Sequence, residues 1–144
     1  MTDYVIDASV AIKLFLVEPL SDRATSLFAC LSLDPSPTYY VPDLFYIECA
    51  NILWKSAKRI GYPETQAQLA IARLKALPLK SITMSSLAEE ALAIALAHNI
   101  TAYDASYVAL SKRLNLATVT ADEKLVLALS DAPYQIRWLG HWQD

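Results

Sequence analysis

The apolar pattern changes period several times along the chain. Val5 and Ile6 form a short apolar run without alternation, which suits a strand buried on both faces, and Asp7 ends it. From Ala8 to Val17 the apolar residues Val10, Ala11, Leu14, Phe15 and Val17 recur at helical spacing, so a helix is expected there. Pro19 breaks the pattern. Ser21 is placed to cap a second helix reaching about Leu33, with Ala24, Leu27, Phe28 and Leu31 on one face. Asp34-Pro35-Ser36-Pro37 reads as a loop, and Thr38 to Val41 as a strand stopped by Pro42. Asp43 is placed to cap a long helix to about Ile60, with Gly61 as its stop. Pro63 opens another helix to about Leu77, so the two form a helical hairpin.

The second half alternates more regularly. Leu79 to Thr83 is a short strand candidate. Ser86-Leu87-Ala88-Glu89 has the form of a capping box and opens a helix to about His98. Asn99 to Ala102 connects it to a helix from Tyr103 to Leu114. A strand from Leu116 to Thr120, a helix from Glu123 to Leu129 and a last strand from Gln135 to Leu139 follow. Strands alternating with helices favour an α/β fold with a parallel sheet covered on both faces, and the helical hairpin is an embellishment on it. No internal repeat, linker or low-complexity segment interrupts residues 1–144, so one domain is expected over the whole length.

Composition narrows the chemistry chiefly through what is scarce. There are two glycines, Gly61 and Gly140, and no glycine-rich phosphate loop, which argues against P-loop and Rossmann nucleotide sites. Two histidines, His98 and His141, and no paired cysteines argue against a zinc site of the nitrogen and sulfur type. A metal here would bind oxygen, which means Mg²⁺ or Mn²⁺. Cys30 and Cys49 lie in apolar helical patterns and read as reduced core residues of a cytoplasmic protein. The start Met1-Thr2-Asp3 has no basic region before an apolar one, and the apolar stretch Ala91 to Ala97 is too short to span a bilayer. The net charge of −3 argues against a protein coated for nucleic acid, although a local site remains open.

Four acids share a context. Asp7 follows the first strand and Asp122 lies just past another. Asp104 sits in the first turn of a helix, and Glu48 lies on a polar stripe of the long helix. Each has an ordinary reading. Asp7 and Asp122 can serve helix starts, and Thr101-x-x-Asp104 resembles a cap. Several acids at one sheet edge, however, repel one another unless a cation holds them. In the long helix Phe45, Ile47, Cys49, Ala50, Ile52, Leu53, Trp54 and Ala57 cover most of the circumference. The remaining line carries Glu48, Asn51, Lys55, Lys58 and Arg59. It reads either as a solvated face or as a carboxylate aimed into a cleft, with Lys55, Lys58 and Arg59 extending the line as phosphate contacts. Tyr39, Tyr40, Tyr46 and Tyr103 can stack on bases or simply pack.

Four stretches together resemble the PIN-domain ribonucleases, and most closely the VapC-type toxins of toxin–antitoxin pairs. They are Val5 to Ser9, Val41 to Leu53 with Glu48-x-x-Asn51-x-Leu53, Tyr103 to Leu110, and Ala117 to Asp122. The resemblance implies a parallel sheet of about five strands between helices. It implies that Asp7, Glu48, Asp104 and Asp122 hold Mg²⁺ or Mn²⁺, with Asp7 and Asp104 as direct ligands and Glu48 and Asp122 acting through water. Ser9 and Thr120 match supporting hydroxyls, and Asn51 lies one turn beyond Glu48. It further implies hydrolysis of single-stranded RNA to 5′-phosphate and 3′-hydroxyl ends, an antitoxin partner that covers the site, and a homodimer.

Rival readings fit the residues less well. A haloacid-dehalogenase-like phosphatase wants a second acid two positions after the first, where Ser9 stands. A receiver domain wants adjacent acids near the first strand and a Lys after the last, and Gln135 to Leu139 has none. A non-catalytic RNA- or partner-binding module would gain nothing from four clustered carboxylates.

Overall fold

The computed structural model describes residues 2–144; Met1 lies outside the described residues. Five short strands pair in parallel: β1 (Tyr4–Ile6), β2 (Tyr39–Pro42), β3 (Lys80–Ile82), β4 (Ala117–Thr120) and β5 (Ile136–Trp138), in the order β3-β2-β1-β4-β5. β1 is central, and Val5 and Ile6 are fully buried, as an unalternating apolar run requires. Its register sets Ile6 beside Val119, and β4 in turn sets Thr120 beside Trp138. The chain runs outward from β1 through β2 to β3, then returns to the other side of β1 for β4 and β5. The order therefore reverses between β1 and β4, and a crevice forms outside their carboxyl ends.

Among the described residues seven α-helices accompany the sheet: α1 (Ala8–Ala11, continued by a 3₁₀ turn Ile12–Leu14), α2 (Ser21–Ala29), α3 (Phe45–Ile60), α4 (Glu64–Ala76), α5 (Ala88–His98), α6 (Ala102–Leu114) and α7 (Glu123–Ala128). α6 is the core helix. Every residue from Ala105 to Ser111 is buried, and it packs on β1, β2, β4 and α5. A helix buried all round must be apolar all round. The polar atoms it does carry are bonded: Ser106 Oγ donates to the Tyr103 carbonyl, and Ser111 Oγ to that of Leu116. α3 and α4 form the expected hairpin across Gly61.

Several local expectations are corrected. The first helix ends at Leu14, and Val17 is fully exposed. Ser21 turns back instead of capping α2: its hydroxyl donates to the Leu16 carbonyl and accepts from the Glu18 amide, while Leu20 takes the cap position at φ 70°. These bonds and Pro19 close a turn that displaces helix over 15–17. Asp43 likewise makes no cap. Its Oδ1 accepts from the Met84 amide and ties the end of β2 to the segment after β3. Ser86 donates to the Thr83 carbonyl and lies in a 3₁₀ turn, so α5 begins at Ala88 without a capping box. Along α3 only Phe45, Cys49 and Leu53 are buried; Ile47 and Trp54 are 71% and 57% exposed. The apolar residues counted around that helix thus include a surface patch, because α3 packs on α1 and α4 and leaves another side to solvent.

Gly61 ends α3 at φ 72°, and the amides of Gly61 and Tyr62 both close on the Ser56 carbonyl. A Cβ there would meet no neighbour within 4 Å, so backbone strain alone decides a substitution. Gly61→Ala is expected to lower stability by about 1 kcal/mol in urea unfolding, with no change in secondary-structure content by circular dichroism.

Candidate active site

Asp7 leaves β1 in the crevice between β1 and β4. Its amide donates to the Val119 carbonyl at 3.1 Å, extending the ladder one residue past the strand. Its side chain is buried, with the residue 5% exposed. The Ser9 and Thr120 hydroxyls both donate to its Oδ2, at 2.6 and 2.7 Å. Ser9 Oγ accepts from the Ala121 amide, and Thr120 Oγ1 from that of Asp122. This clasp joins the turn after β1 to the turn after β4. Asp7 occupies the cap position of α1 but makes no capping hydrogen bond, so the ordinary reading of this residue fails.

The other three acids reach the same crevice from separate elements. Asp122 caps α7, its Oδ1 accepting from the amides of Lys124 and Leu125. Thr101 caps α6 by accepting from the Asp104 amide, which sets Asp104 in the first helical turn. Glu48 projects from α3, and the Tyr107 hydroxyl donates to its Oε1 at 2.6 Å. A pattern recurs here. Asp7, Asp122 and Glu48 are each fixed through one carboxylate oxygen, and the other, Oδ1, Oδ2 and Oε2 respectively, receives no side-chain hydrogen bond.

The electrostatics agree. Burial pushes the Asp7 carboxyl above its ordinary range against the lowering effect of its two hydroxyl donors, and Asp122 pushes it further. Glu48 is raised to about 7, first by burial and then by Asp7 and Asp104, with Tyr107 opposing. Asp104 is raised to about 6 by burial, Asp7 and Asp122. Each acid therefore feels another. None of the ion pairs among the described residues, Lys13–Glu18, Lys58–Glu64 and Lys112–Glu90, involves them. Among the described residues no three such side chains form a ready-made metal cage. Oxygen donors in uncompensated mutual repulsion still fit a hard divalent ion, which takes one or two carboxylates and keeps several waters.

Other expected site residues are placed with mixed results. Asn51, Lys55, Lys58 and Arg59 are exposed on α3, with Lys58 near Glu64 at 3.9 Å. Tyr39 is buried and donates to the Leu27 carbonyl, so it cannot stack on a base. Tyr46 packs edge-on against Phe45, and Tyr40 lies under Lys80. Tyr103, beside Asp104, is 61% exposed. Tyr107 was not foreseen as a site residue. Its signal was its place three residues after Asp104, on the same helical face.

The sequence pattern of the PIN domain matches residues 4–128. The chain belongs to the PIN-domain family. It is 33% identical over 124 residues to Ribonuclease VapC3 of Pyrobaculum aerophilum, covering 84% of this chain and 90% of that protein. Its fold is similar to the crystal structure of PAE2754 from P. aerophilum, with a TM-score of 0.70 at 22% identity over 96% of this chain and 90% of that one. It is similar also to a toxin–antitoxin complex from Klebsiella pneumoniae, with a TM-score of 0.59 at 16% identity over 93% and 95%. The parallel five-stranded sheet flanked by helices is the fold of this family.

The raised acids link stability to pH. Asp7, Glu48 and Asp104 hold protons more tightly in the native protein than in the unfolded chain. Their contribution is therefore full below the ordinary carboxyl range near pH 4 and is lost as pH rises toward about 7. In chelator, the melting temperature is expected to fall across that window. Asp104→Asn is expected to flatten the fall and melt several degrees above the wild type near neutrality. A rise in wild-type melting temperature from pH 5 to pH 7 would contradict this.

Proposed function

We propose that this PIN-domain protein is a divalent-metal-dependent endoribonuclease that hydrolyses single-stranded RNA, acting as the toxin of a toxin–antitoxin module. The observation that carries the reading is the one-oxygen anchoring of Asp7, Glu48 and Asp122 around a crevice without counter-charge. Such anchoring orients a carboxylate while leaving acceptor capacity for a cation or its waters. A merely capping acid needs no such company.

Bound Mg²⁺ or Mn²⁺ would supply Lewis-acid stabilisation of phosphoryl charge and an acidified water. The residues that would hold it are Asp7, through Oδ1, and Asp104, with Glu48 and Asp122 receiving its waters. Ser9 and Thr120 keep Asp7 in one orientation. Glu48 Oε2 receives no side-chain hydrogen bond and is free to accept one from a water in the crevice. Lys55, Lys58 and Arg59 continue beyond Glu48 on α3, where they would meet the RNA backbone, and Asn51 lies one turn from Glu48. Exposed Tyr103 is the tyrosine free to stack on a base beside the scissile bond.

The partner of the module is an antitoxin, and the relatives in complex support one here. The exposed apolar patch of α3, Ile47 and Trp54, borders Glu48 on the same helix. An antitoxin seated there would cover the site. A homodimer is proposed from the family. No helix among the described residues is long and apolar enough to cross a membrane.

The test is cleavage of a defined single-stranded RNA with Mg²⁺ or Mn²⁺, beside chelator and an Asp104→Asn variant. Cutting by the wild type is expected only with metal, leaving 5′-phosphate and 3′-hydroxyl ends. Asp104→Asn is expected to lose at least about a hundredfold in rate. A 2′,3′-cyclic phosphate product would overturn the mechanism, because it makes the RNA's own hydroxyl the nucleophile. RNA binding without cutting, metal-independent and intact in Asp7→Asn, would favour a non-catalytic module.

A further inference from the structure

Three of the four acids are placed by a recognisable device, acting on the side chains of Asp7 and Asp122 and on the backbone of Asp104. Asp7 has its two hydroxyls, Asp122 its helix amides, and Asp104 the Thr101 cap. Glu48 has none of these. It lies within the first turns of a helix whose own start carries no side-chain cap, and it has no ion-pair partner. Its single side-chain hydrogen bond comes from Tyr107. That phenol is fully buried on the core helix, which packs on the sheet and α5. The same bond is the one side-chain hydrogen bond joining α3 to α6 among the described residues. α3 otherwise packs chiefly on α1 and α4, and α6 on the sheet and α5.

We infer that Tyr107 is the positioning residue for Glu48: its hydroxyl occupies Oε1 and so leaves Oε2 for the water that a bound metal would carry. A long glutamate on a half-exposed helix has three side-chain torsions to lose. A donor on a rigid core helix removes that freedom, and it does so from the helix that also carries Asp104. The placing of Glu48 is thereby tied to that of Asp104 through one helix. A phenylalanine would fill the same core volume, yet it would leave Glu48 free to swing into solvent and leave a buried position without its donor.

This inference rests on the nuclease reading, so the test separates the two. Wild type, Tyr107→Phe, Glu48→Gln and the double variant are compared by Mn²⁺ titration, followed by electron paramagnetic resonance, and by single-turnover RNA cleavage. Tyr107→Phe is expected to keep the wild-type circular dichroism spectrum. It should weaken Mn²⁺ binding by about tenfold and slow the cleavage step by about tenfold or more, with little change in RNA affinity. In the Glu48→Gln background the same substitution should cost almost nothing further, because the group it positions has already lost its charge. A structural role would cost the same in both backgrounds, and that outcome overturns the inference. So does a Tyr107→Phe protein that binds Mn²⁺ and cuts like the wild type. Failure of the wild type itself to bind Mn²⁺ or to cut would instead bring down the nuclease reading, and the positioning role with it.

Discussion

The site depends on a carboxylate that has no counter-charge. Asp7 is buried at the point where the strand order reverses, and only hydroxyls and backbone attend it. Burying an ionised acid without a cation is costly, and nearby acids raise that cost. The fold tolerates the cost because the groups around Asp7 are bound to each other as well as to it. Ser9 and Thr120 each accept from a backbone amide while donating to Asp7, so neither hydroxyl can rotate away without losing two bonds. The result is a fixed, electron-rich cluster at the sheet edge.

Around that centre the scaffold divides its duties. The core helix α6 is rigid because it is buried over two turns, and it presents Asp104 at its exposed start and Tyr107 from its interior. The α3–α4 hairpin is the opposite case, polar and apolar residues mixed on a surface that meets solvent along much of its length. Glu48 sits where the two regimes meet. Its carboxylate belongs to the surface helix and its anchor to the core. Chemistry that needs a fixed geometry is thus drawn from the interior, and contacts that must vary with the partner are left outside.

Much of this was legible before any coordinates. The strand periods of Val5-Ile6 and Ala117 to Thr120 placed β1 and β4, and the change of period after each placed Asp7 and Asp122 at a sheet edge. Legibility failed where one side chain had several partners to choose from. Ser21, Asp43 and Ser86 have the chemistry of caps, yet each bonds a tertiary or turn group that periodicity does not reveal. Ile47 and Trp54 counted as core because a helical wheel does not say how many sides are covered. Tyr107 was missed for a related reason: a tyrosine in an apolar helix reads as packing until the partner of its hydroxyl, 59 positions away, is seen.

The clasp on Asp7 spans 113 positions, from the first strand of the chain to the fourth. That separation bears on how the protein comes into being. During synthesis the first three acids, Asp7, Glu48 and Asp104, emerge before Thr120, and β1 has only one edge partnered until β4 arrives. Contacts so distant in sequence form late, after the loop they close has been made. A nascent chain can therefore carry most of its acids and still hold no assembled site. The clasp closes only when β4 docks beside β1, so a chain broken off before Thr120 would lack the bond that spans it.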